Sequence, residues 1–239
     1  MAKIYARESA YSDEKKKNLW GAVVFYGIGI FFFATFALPI SNHGAMRPFS
    51  TNIMLMLTFA VAGLIGKYFW GRYQIAGSGD TGVEHALDAF KVLPDDYAVL
   101  TNVYAGAQYF RLVVVGANGV FIINTKNHNG KITPTGGKEW LQEKVGRRGT
   151  HYAAKMSNPV QQLKYQIYSM AQYLKQNDFR VWVDGIVYFT NETVILNGCS
   201  DQYTNRAAIV VDFILNYKVR KPLGADEQQQ IVSLLRGQD

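Results

Sequence analysis

With 239 residues, one cysteine and a formal net charge of +7, the chain has the length for a single core-bearing domain plus an appendage, and an intramolecular disulfide is excluded. Cys199 fits a reducing compartment and reads as a small buried apolar residue rather than a nucleophile. The charge is unevenly held: residues 1–72 contain eight Lys or Arg against three acids, and residues 73–239 seventeen against fifteen, so most of the excess lies in the appendage.

Residues 1–18 read as a basic N-terminal segment carrying Lys3, Arg7 and Lys15 to Lys17. Residues 19–40 follow, 22 positions without a charge, long enough at about 1.5 Å per residue to cross a hydrocarbon core of about 30 Å. A second apolar stretch, residues 53–70, carries only Lys67, which can snorkel from a helix end. Together they predict a two-helix transmembrane hairpin over residues 19–72, joined by a connection with Pro48 and the cation Arg47. Cations precede the first span, and Lys67 and Arg72 close the second. The positive-inside rule then puts both termini on the cytoplasmic face of the inner membrane, with the lipid bilayer as a partner. A cleaved signal peptide fits poorly, because the stretch is too long, Phe31 to Phe33 lie inside it and a second span follows.

Residues 73–82 read as a Gly-rich linker to a domain over residues 83–239. Gly77, Gly79 and Gly82 spell GxGxxG, but a dinucleotide site needs a strand immediately ahead of that motif, and here a membrane helix comes first. A helix is expected over residues 81–93, where Val83, Ala86, Leu87 and Phe90 make one apolar stripe and Pro94 ends it. Glu84 and Asp88 share a face beside that stripe, as solvated residues or as neighbours of a site. Strands are expected over residues 97–104 and 108–115, the second leading through a turn at Gly116 to Gly119 into another strand. Alternation in that strand puts Val120, Ile122, Asn124 and Lys126 on one face and Phe121, Ile123 and Thr125 on the other, so two polar residues end one face of a core strand.

Residues 131–155 read as irregular, with short strands around Ile132 and Trp140. From Lys126 to Lys164 inclusive there are eight Lys or Arg against Glu139 and Glu143. Lys144, Arg147, Arg148, His151 and Lys155, interleaved with Trp140 and Tyr152, suit a phosphate backbone; a solvated loop or one facing anionic lipid fits the same composition. Asn158 and Pro159 then open a helix as N-cap and first helical residue, with Val160, Leu163, Ile167, Met170 and Leu174 as its core stripe. Strands over residues 179–189 and 208–211 and a closing helix over residues 226–236 complete the pattern.

Gly79 and Gly82 before a helix, the run VVVGANGVFIINTKN from Val113 to Asn127, Gly130 with Ile132, Trp140, and Asn158, Pro159 and Gln162 together resemble the nuclease-related domain (NERD) family, a branch of the PD-(D/E)XK nucleases. The resemblance covers about residues 77–236. It implies an α/β restriction-endonuclease-like fold, a mixed sheet flanked by helices, and a phosphodiesterase site drawn from Glu84, Asn124, Lys126 and Gln162. It also implies carboxylates that this chain lacks. The family's Asp before the apolar run is Arg111 here, its Glu two residues before the Lys is Asn124, and its Gly-Glu at the first helix is Gly82-Val83, with Glu84 one position late.

Such a nuclease would need Mg²⁺ or Mn²⁺ held by converging carboxylates, since a hard divalent cation takes oxygen ligands. Arg111 offers no oxygen and adds positive charge; at about 5 Å and an effective dielectric near 20 it would repel a divalent ion by about 6–7 kcal/mol. Two substitutions would relieve this: a rotated helix that brings in Glu84, or a one-residue register slip that turns Arg111 away. Otherwise no cofactor is expected. His43, His85, His128 and His151 are scattered and suggest no zinc site. The expected function is a catalytically degenerate, membrane-anchored module binding DNA or RNA phosphate through Arg111, Lys126, Lys144, Arg147, Arg148 and Lys155. The alternatives are an active tethered nuclease and a structural subunit of a membrane complex.

Overall fold

A computed structural model describes residues 1–7, 12–37, 49–146, 149–198 and 200–237. The chain divides into two compact units, one of residues 10–78 and one in which residues 1–9 join residues 79–239.

The smaller unit is helical. Helix α1 (Ser12–Ala37) and the larger part of helix α2 (Phe49–Phe90) hold two stretches, Ser12–Thr35 and Ser50–Gln74, that are long and apolar enough to cross a membrane. Only 17% and 11% of those windows is buried, which is not the environment of core helices in a soluble bundle. The helices run antiparallel: Phe33 meets Phe59, Phe25 stacks on Phe69 at 5.8 Å, and Arg72 pairs with Glu14 at 2.6 Å. Small residues permit the approach, with Gly21 against the Phe69 ring and Gly66 against Tyr26. The connection expected between the spans, with His43, Arg47 and Pro48, lies outside the described residues.

In the larger unit, a six-stranded mixed sheet runs in the order β1 (Lys3–Tyr5), β2 (Ala98–Ala105), β3 (Gln108–Gly116), β4 (Gly119–Lys126), β8 (Val183–Phe189) and β10 (Tyr203–Thr204). A second sheet runs in the order β7 (His151–Ser157), β6 (Glu139–Val145), β5 (Gly130–Thr133) and β9 (Val194–Leu196); β5 and β6 are the short strands expected around Ile132 and Trp140, while β7 falls where irregular chain was expected. Helices flank the main sheet on both faces. Helix α3 (Pro159–Gln176) and α5 (Ala225–Arg236) bury Leu163, Met170, Ile231 and Leu235 against Val113, Val115, Val120 and Ile122. The end of α2 and α4 (Ala207–Leu215) bury Ala86, Phe90, Val210 and Ile214 against Val114, Phe121 and Ile123. The face assignment expected for residues 120–126 therefore holds, and the fold is the mixed α/β arrangement that was expected.

Two elements differ from expectation and one was not anticipated. The basic N-terminal segment contributes a strand: β1 pairs in parallel with β2, Ala2 N–H donates to Leu93 C=O at 2.8 Å, and Asn102 Nδ2 donates to Arg7 C=O at 2.5 Å. The Gly-rich stretch of residues 73–82 is helical, because extending an existing helix avoids the nucleation cost and leaves only about 1 kcal/mol per Gly against it. Residues 208–211 form part of α4 rather than a strand; Val210 and Ile214, four apart, are the buried pair, and a short apolar run does not reveal its period.

Candidate phosphate-binding site

The site lies where β4 ends. Gly119 starts the strand with φ of 127°, and a Cβ there would stand 2.7 Å from Trp182 C=O, so only Gly lets β4 begin beside the residue that leads into β8. The two strands then run parallel in register from Val120↔Val183 to Lys126↔Phe189. At the far end α3 arrives. Its N-cap is Asn158, whose side chain accepts from Val160 N–H at 3.0 Å and Gln161 N–H at 3.2 Å, with Pro159 at the first helical position. A Cβ at Gly185 would clash with Ile122 C=O and stand 2.9 Å from Leu163 Cδ1, so this Gly lets β8 pair closely with β4 beneath Leu163 of α3. Buried Asn124 completes the join by donating Nδ2 to Pro159 C=O at 3.3 Å.

That packing sets Gln162 over the end of β4, where Lys126 Nζ donates to its Oε1 at 2.7 Å. Arg111 adds a second charge. The β3–β4 register pairs Val113 with Ile122 and, carried two residues further, sets Arg111 opposite Asn124, where its charge reaches Lys126. Burial, and then the Arg111 charge, lower the Lys126 pKa from 10.5 to about 8. His128 stands beside them. Its pKa is lowered by burial and by Lys126 and Lys144, and its buried Nδ1 has no hydrogen-bond partner among the described residues. Four basic side chains, Arg111, Lys126, His128 and Lys144, thus act on one another at one end of the sheet.

The remaining expected residues are placed as follows. Glu84 is exposed and belongs to α2, whose apolar side packs on the opposite layer of the sheet through Ala86 and Phe90. Lys144 is half-buried on the inner face of β6, with Trp140 and Gln142. Lys155 is exposed and pairs with Glu139 at 3.0 Å, and Lys131 with Glu143 at 3.6 Å. Arg147 and Arg148 lie outside the described residues. His128 was not singled out by the sequence, where a lone His carries no signal; its place two residues after Lys126, just past a core strand, was the available clue.

A hard divalent cation does not fit these groups. The nearby groups are two amides, an imidazole and three cations, and one amide is engaged with Pro159. Among the described residues no three His, Cys, Asp or Glu side chains group to hold a metal ion. What the arrangement offers is the opposite: recessed positive charge with N–H donors, the complement of an oxyanion.

A mixed sheet between helical layers, with a Lys at the end of its central strand hydrogen-bonded to a Gln from the next helix, defines a mixed α/β domain. Residues 78–190 match the family described as nuclease-related domain, NERD. The chain therefore carries a nuclease-related domain together with two helices long and apolar enough to span a membrane. No curated protein and no solved structure matches the chain at a significant level.

Proposed function

We propose that this chain is a membrane-anchored nuclease-related domain that binds nucleic-acid phosphate without cleaving it, on the cytoplasmic face. The observation that carries the reading is the substitution of charge at the end of β4: Arg111 and Asn124 stand where a nuclease of this family would place carboxylates, and Lys126 donates to Gln162 while burial and the Arg111 charge pull its pKa down to about 8. A buried ammonium held near another cation is strained until an anion arrives, and a phosphate oxygen relieves both charges at once.

Two features support the topology. Cations flank the hairpin at its outer ends, as the positive-inside rule requires for cytoplasmic termini. Strand β1 precedes the first apolar helix and its partner β2 follows the second, so one folded sheet favours an even number of crossings. The test uses the full chain in nanodiscs, because a piece starting after the hairpin lacks β1. Binding of labelled DNA and RNA oligomers is measured from about 50 to 300 mM salt. The reading expects affinity to fall steeply with salt and to fall again in Lys126→Ala. Salt-independent binding, or none, would leave a structural role in a membrane complex as the better account.

A further inference from the structure

We propose that the outward face of α3 is a stacking surface for the unpaired bases of single-stranded nucleic acid, an inference that rests on the phosphate-binding reading of the Lys126 site and names its substrate class. Tyr165 and Tyr168 are 60% and 63% exposed, and neither belongs to a core cluster. Three residues apart on a helix, they are neighbours on one surface. Lys164 is exposed next to Tyr165, Lys175 is exposed about two turns beyond Tyr168, and the helix PVQQLKYQIYSMAQYLKQ contains no Asp or Glu. The face is thus aromatic and basic without an opposing charge, the combination that tracks a phosphodiester backbone while bases stack.

Position joins this face to the site. Gln162, the acceptor of Lys126 Nζ, is three residues before Tyr165, so the phosphate-binding cations and the first ring are adjacent along one helix. A backbone phosphate held at Lys126 would leave the next bases over Tyr165 and Tyr168. Only an unpaired strand can use such rings, because the faces of bases within a duplex are already stacked. A lipid surface is the less suitable occupant: an interfacial helix buries Leu, Phe or Trp in the headgroup region, whereas the apolar stripe of α3 is already spent on the sheet and its outward residues are Tyr, Gln and Lys.

The experiment measures binding of the full chain, in neutral-lipid nanodiscs at low salt, to an oligothymidylate, an abasic oligomer of the same length and a duplex. Variants are Tyr165→Ala with Tyr168→Ala, the matching Phe pair, and Lys126→Ala. The Ala pair is expected to weaken oligothymidylate binding by about tenfold or more, as loss of base stacking does, and to leave the abasic oligomer unchanged. The Phe pair should retain binding. If the Ala pair binds oligothymidylate as the parent does while Lys126→Ala weakens every probe, the stacking face is overturned and the phosphate site stands. If Lys126→Ala changes nothing, the phosphate reading falls and this inference with it. Should the Ala pair lose attachment to phosphatidylserine vesicles but not to oligothymidylate, the face is a lipid surface and the proposal is wrong.

Discussion

Lys126 and Lys155 lie in the same basic third of the domain, yet their surroundings differ. Lys126 is half-buried, hydrogen-bonded to a neutral amide and pressed by Arg111, with His128 and Lys144 acting on the same end of the sheet. Lys155 stands on an exposed ribbon and is paired with Glu139, as Lys131 is with Glu143. Counting cations along the sequence finds the ribbon first. Burial and the neighbouring cationic charge single out the end of β4, because an exposed, paired, screened charge contributes little to capturing an anion.

The sharpest way to break this contrast is to restore acids where the family would have them. Arg111→Asp combined with Asn124→Glu exchanges a repelling charge for two carboxylates and is expected to raise Mn²⁺ affinity by several orders of magnitude over the parent, measured by calorimetry. Unchanged affinity would mean that something other than these two positions sets the charge of the site. Next in size, Lys126→Ala is expected to weaken oligonucleotide binding at low salt by about tenfold, the scale of one charge-assisted hydrogen bond, and to reduce the slope against log salt by about one.

Stability should move the other way. The folded pKa of Lys126 is about 8 against an ordinary 10.5, so between those values the unfolded chain binds more protons than the folded one. The cost of the buried ammonium is therefore fully present below pH 8 and is relieved as pH rises toward 10.5. Lys126→Met is expected to stabilise the domain by about 1–2 kcal/mol at pH 7, after loss of the Gln162 hydrogen bond, with the gain shrinking above pH 9 in denaturant titrations. For the same reason anion binding should take up a proton and weaken as pH climbs through 8. The smallest effect belongs to the ribbon: Lys155→Ala is expected to change affinity by less than about twofold, since its charge is exposed and already paired.

Local chemistry made much of this legible. The Gly-turned hairpin of β3 and β4, the alternation that puts Asn124 and Lys126 on one face, and the Asn158-Pro159 start of α3 all follow from nearest neighbours and periodicity. Pairing between distant segments was not legible. Three residues, Lys3 to Tyr5, have no pattern that announces a parallel partner more than ninety positions later. Of the meander of β5 to β7, the strands around Ile132 and Trp140 were legible but their extent and β7 were not: in β6 the inward Trp140, Gln142 and Lys144 are mixed in polarity, so alternation of burial is not alternation of hydropathy. His128 entered the site through that meander, as the neighbour of Lys144.

The most direct test of the central claim is cleavage by the full chain. Single-stranded and duplex DNA and RNA would be incubated at low salt with Mg²⁺ or Mn²⁺ and run beside a Lys126→Ala control, reading retention and fragment length on one gel. Retention that fades with salt, with every strand intact in both metals, is the predicted result. Metal-dependent fragments that vanish in the Lys126→Ala lane would contradict the account and show that this site still cuts.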